Sequence, residues 1–236
     1  MKKNIIYIIL VSIVFVVEGC SKSQVTSNDI TYTEQASQDI LSQNISALKF
    51  IKESILNNGI NLTNEEQIAH LANSIDHKVH LQFPLAFSYP SITKTKANDV
   101  DAIYSLIDSE YMNAFRENIL FDIEKFQEIR EQYFQSESFN SLSLLYQNDV
   151  RNFLITLETC RNIVVETAME IINSTVTKSS GAEMRAWSEM GQQMSEEDYG
   201  KIVDGFIYMV AGVAGMASMP AGLVIGAVGL IVSWCR

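Results

Sequence analysis

Apolar positions recur at helical spacing over most of the chain. Ala36, Ile40, Leu41, Leu48, Ile51 and Ile55 are separated mostly by three, four or seven residues, and Asn57-Asn58-Gly59 follows them. This is the stripe of an amphipathic helix with its stop signal. Thr31 and Glu34 have capping-box spacing ahead of it. Thr63 and Glu66 repeat that spacing and open a shorter helix with Ile68, Leu71, Ala72 and Ile75 on one face. From Val79 to Asn98 the pattern changes, because His80-Leu81-Gln82-Phe83 alternates and Pro84 and Pro90 bracket an apolar loop. Proline disfavours helix at its own position and at the residue before it, so an ordered crossover with one short edge strand is expected here. Asp99 is expected to cap a long helix reaching about Gln135, carried by Ile103, Leu106, Ile107, Phe115, Ile119, Phe126, Ile129 and Tyr133. After a turn at 136–141, Leu145, Val150, Phe153, Leu154, Leu157, Val164, Val165, Ala168 and Ile172 mark a helix from about Leu142 to Val176. Its charged residues Asp149, Arg151, Glu158 and Arg161 read as a solvated face. Two such helices joined by a short turn lie antiparallel. The fold class is all-α, a bundle of amphipathic helices followed by a hydrophobic glycine-rich helix or helical hairpin.

That last segment differs from everything before it. Gly205 to Cys235 holds no charged residue and six of the eleven glycines. In heptads, Gly205, Gly212 and Gly226 share one position, and Gly215, Gly222 and Gly229 share the position three residues on. On a helix all six lie on one seam. Each glycine costs a helix roughly 1 kcal/mol against alanine, so their concentration needs another cause, and close approach of two helices through small residues is the usual one. The segment resembles the glycine-zipper stretches of self-associating membrane helices. Pro220 interrupts it. As one helix it would reach roughly 46 Å, beyond a hydrocarbon core of about 30 Å. Three readings follow: a kinked or tilted membrane helix paired through its glycines, a helical hairpin in or on a membrane, or the central core of the bundle. A helix apolar on all sides belongs in a core or in a membrane.

The other end of the chain carries a second signal. Lys2 and Lys3 precede an uncharged run from Ile5 to Val17, too short for a comfortable span. The run closes on Val17-Glu18-Gly19-Cys20. This resembles the signal of bacterial lipoproteins, with an aliphatic residue three before the cysteine and a small one just before it. Glu18 departs from the small or apolar residue usual at its position. The resemblance implies that Cys20 becomes the lipidated first residue of the mature chain. Ser21 after it leans towards the outer membrane of a two-membrane bacterium. The alternative is an ordinary cleaved signal in which Cys20 is incidental. The domain expectation is then a signal at 1–19, a tether at 20–30, an acidic helical domain at 31–200 and the glycine-rich segment at 201–236.

Charge narrows the partners. The chain carries net −11, and removal of residues 1–19 with their two lysines and one glutamate makes it −12. Such a surface repels nucleic acid and anionic lipid. The implied partners are a membrane, through Cys20 and on two of the readings through 205–235, and further copies of the chain. With Cys20 acylated, Cys160 and Cys235 are left either as a disulfide or as two buried thiols.

Catalytic chemistry finds little support. His70, His77 and His80 fall within eleven residues beside Asp76, and imidazole is a common metal ligand. They are weak metal candidates, because the helix is expected to fray before His80 and no HExxH or di-iron spacing occurs. There is no GxSxG elbow, no phosphate loop, no dinucleotide fingerprint and no CxxC. No cofactor is implied. The expectation is a non-enzymatic, lipid-anchored envelope protein acting by binding or assembly. The alternative resembles helical pore-forming toxins and bacteriocin-like peptides, in which shielding helices release an apolar glycine-rich hairpin into a membrane.

Overall fold

Seven buried positions, Ser37, Ile40, Asn44, Ala47, Leu48, Ile51 and Ile55, line one face of α1 (Glu34–Asn58) at steps of three and four. The computed structural model describes residues 34–59, 64–90, 99–175, 200, 203–206 and 220–234. Every regular element among them is an α-helix, so the all-α bundle is observed and the edge strand expected between Val79 and Asn98 is not formed in the described part. After α1 come α2 (Glu65–Gln82), α3 (Asp99–Tyr104), α4 (Ser109–Asn118), α5 (Ile123–Gln135), α6 (Glu137–Ser141), α7 (Leu144–Thr175) and α8 (Pro220–Trp234). Asn64, not Thr63, caps α2, its side chain accepting from the Gln67 N–H at 3.0 Å.

α1 and α7 pack along each other, and α8 lies against α7 and α2 with a smaller contact to α1. One core joins these four helices, with Leu48, Ile51, Phe153, Leu154, Val164, Val228 and Ile231 all fully or almost fully buried. The α1–α7 seam also carries polar rungs, where sequence periodicity alone placed only apolar ones. Asn152 donates to the Ser37 carbonyl and Oγ at 3.0 and 3.1 Å, and Asn44 donates to Thr156 Oγ1 at 2.9 Å. Oδ1 of the same Asn44 accepts the Phe87 N–H at 2.6 Å, and Gln43 Oε1 accepts that of Leu85 at 2.8 Å. The crossover loop is thereby fastened to α1. Phe87 sits at φ 60°, in the left-handed region, although it is a bulky residue. Its buried side chain and captured N–H hold it there.

The long helix expected from Asp99 to Gln135 is broken into α3, α4 and α5. Local polar groups compete for the backbone at each break. Ser105 Oγ donates to the Ala102 carbonyl, and Asp122 accepts from the Lys125 N–H to start α5. A tertiary partner fixes the second break: Arg161 of α7 donates from Nε and Nη2 to the carbonyls of Ile119 and Leu120, the shortest of these bonds being 2.7 Å. Arg161 and Asp149 are therefore buried rather than solvated, and Glu158 is half-buried in a pair with Arg130. Of the four charges expected on the outside of α7, Arg151 alone is there, stacked over Phe134 with its guanidinium carbon 4.7 Å from the ring centroid. The turn at 136–141 is itself helical, opened by Ser136 accepting the Phe139 N–H.

Candidate functional site

The chemically distinctive place in the fold is the junction where α8 begins. Proline suits the first position of a helix, since its fixed φ is helical and its missing N–H would have no partner there. The N–H groups after Pro220 still need acceptors. The sequence supplies no capping side chain just before the proline, since methionine's thioether carries no oxygen. The acceptor comes from another helix: Asp76 Oδ1 of α2 accepts the Ala221 N–H at 2.7 Å.

Asp76 reaches this point because its own helix turns it inward. It lies four residues after Ala72 and three before Val79, both buried, and it is only 6% exposed. Burial pushes its carboxyl from the usual 3.8 up to about 7, against the downward pull of the Ala221 amide and a weaker one from Gly222. Oδ2 of the same carboxylate is buried with no hydrogen-bond partner. A negative charge suits a helix N-terminus, but here it is set in an apolar wall.

α8 divides into two faces. Ala221, Val224, Ile225, Ala227, Val228, Ile231 and Val232 are buried, whereas Gly222, Leu223, Gly226, Gly229 and Leu230 are half-buried. At 3.6 residues per turn these sets fall on opposite sides. The bundle is filled by the branched side chains, and the three glycines line the other face. Gly205 is half-buried with open space where a Cβ would sit. Gly212, Gly215, Cys20 and Cys235 lie outside the described residues. No helix among the described residues is long and apolar enough to cross a membrane.

The histidines behave differently from expectation in one respect. α2 continues to Gln82, so His70, His77 and His80 share one helix rather than losing the last to fraying. All three are exposed, and no cluster of three metal-ligating side chains forms among the described residues. Cys160 is a free, buried thiol whose pKa burial raises, so the disulfide alternative does not hold for it. A cavity of about 10 Å³ lined by Tyr104, Met112, Phe115, Ile119, Phe153 and Leu157 has room for about one water. Sequence reasoning passed over Asp76, although its place in the Ala72–Ile75–Val79 register and the proline opening an uncapped apolar helix were both readable. No family model, curated protein or solved structure matches the chain.

Proposed function

We propose that this is a non-enzymatic, lipid-anchored protein of the bacterial envelope that acts by binding or assembly. Lipid on Cys20 supplies the anchor, at the outer membrane, and the C-terminal helix supplies the packing element. The observation that carries the assembly reading is the division of α8. One face is built into the bundle, and the other presents Gly222, Gly226 and Gly229 with Leu223 and Leu230 beside them. A helix face of small residues bordered by leucines along one edge suits close approach of a second helix.

Two measurements test it. Cells fed a labelled fatty acid should label the wild-type chain and not Cys20→Ser, and an unlabelled wild-type chain would remove the anchor from the reading. Gly226→Leu with Gly229→Leu should abolish self-association in crosslinking and sedimentation while leaving the helical circular dichroism intact. Unchanged association would refute the assembly surface.

The second reading is a membrane-active protein that stores its apolar helix and later inserts it. The sheathing of the charge-free α8 by α1, α2 and α7 favours this reading. At 15 residues α8 is about 22 Å long, short of a core of about 30 Å, so a span would have to recruit residues before Pro220. Dye release from liposomes decides it, and a lipid-independent absence of leakage across pH 5 to 9 would exclude it.

A further inference from the structure

The Asp76–α8 junction goes beyond both readings and does not depend on either. We infer that Asp76 is a proton-dependent latch on α8, closed when its carboxyl carries a proton and loosened when the carboxylate is ionised. The geometry supplies each part. Oδ1 is committed to the Ala221 N–H at 2.7 Å, so the proton's place is Oδ2, which is buried with no other hydrogen-bond partner. With the proton on Oδ2, Oδ1 still accepts from the helix and no charge remains in the apolar wall. Without it, a full charge more than nine-tenths buried faces two backbone amides and, among the described residues, no cation.

Among the described residues, no charged side chain from the surrounding elements shares that role. α8 has none between Pro220 and Trp234. On α1, Lys52 is turned to Glu166 and Glu170 of α7, at 2.9 Å from each, while Lys49 and Glu53 are exposed. On α7, Arg161 is spent on the Ile119 and Leu120 carbonyls. On α2 itself, Glu65, Glu66, His70, His77, Lys78 and His80 are all exposed. The carboxyl's displacement to about 7 arises first from burial, which places the transition in the physiological range.

The sign follows from linkage. A carboxyl that binds its proton more tightly in the closed state than in the open one makes opening easier as pH rises from the open-state value near 3.8 to about 7. Between pH 5.5 and 8.5 the opening equilibrium should grow about thirtyfold. The test is hydrogen exchange of the full chain, followed by mass spectrometry on peptides covering Pro220–Trp234 and corrected for intrinsic exchange. Wild-type protection there should fall about thirtyfold over that interval. Asp76→Asn keeps the acceptor and cannot ionise, so its protection should stay level. An equal fall in D76N, or wild-type protection that rises with pH, would overturn the latch. Should D76N fail to fold, carboxyl-carbon NMR of wild-type Asp76 decides instead, a midpoint near neutrality supporting the latch and one near 4 refuting it.

Discussion

Replacing Asn44 by Ala should destabilise the fold by about 3 kcal/mol, far more than a surface amide would. Asn44 is fully buried and serves two partners at once, donating to Thr156 Oγ1 at 2.9 Å and accepting the Phe87 N–H at 2.6 Å. Alanine strands the Phe87 N–H, and a buried unpaired donor costs about 1–3 kcal/mol. It also removes the side chain that holds Phe87 at φ 60°, a conformation that costs a non-glycine residue about 1–3 kcal/mol unless its surroundings enforce it. The Thr156 hydroxyl loses less, because a helical threonine can turn back to the carbonyl four residues earlier. Thr156→Val should therefore cost only about 1 kcal/mol. For a chain of this size 1 kcal/mol moves the melting temperature by about 2–4 °C, so Asn44→Ala should melt roughly 6–12 °C lower. Calorimetry measures that shift, and hydrogen exchange should show the crossover around Phe87 opening first. A melting point within 2 °C of wild type, or a crossover as protected as before, would refute the argument that this amide fastens the loop.

Other expectations follow from the same geometry. Arg161→Lys should lose about 2 kcal/mol in denaturant titration, since an ammonium cannot serve the Ile119 and Leu120 carbonyls in the forked arrangement of a guanidinium; a neutral result would mean that the α4–α5 break holds by itself. Cys160, fully buried with a raised pKa, should resist thiol reagents until the bundle unfolds, and peptide mapping that finds it labelled in the native state would contradict the core described here. Asp76→Asn should stabilise the protein most at pH 8.5, about half as much at pH 5.5 and hardly at all near pH 3, read as melting temperature against pH.

Much of the architecture was legible because the main helices bury simple stripes. Ile40, Leu48, Ile51 and Ile55 of α1, and Val150, Phe153, Leu154, Leu157 and Val164 of α7, sit in the core as their spacing predicts. The failures share one cause, polar residues whose partners are distant in sequence. Arg161 looked solvated because its acceptors are 41 and 42 residues away, and those bonds also break a helix whose apolar spacing ran on uninterrupted. Asp76 was read only as a neighbour of three histidines, because its partner lies 145 residues on. Periodicity reports which face of a helix is inside; it carries no information about which polar groups find each other there. The α8 glycines show a further limit. Gly222, Gly226 and Gly229 share one face of α8, but burial of the opposite face was decided by where Val224, Ile225, Val228 and Ile231 could fill space.

The sign of the Asp76 linkage bears on the membrane-active reading. If a stored apolar helix were freed by acid, the groups that hold it would have to bind protons more readily when it is out than when it is in. Asp76 does the reverse: its carboxyl titrates near 7 in the closed bundle against 3.8 when exposed. The stability this group contributes is thus greatest at the acid end and is lost as pH rises through 3.8 to about 7, on the order of 4 kcal/mol over the full window. Acidification alone should tighten α8 against α2 through this group. Liposome leakage by the full chain should therefore be weaker at pH 5.5 than at pH 8, and Asp76→Asn should remove that difference. Leakage that rises on acidification equally in wild type and D76N would show that other groups govern release. A rise on acidification that D76N abolishes would reverse the sign assigned to Asp76 and with it the latch.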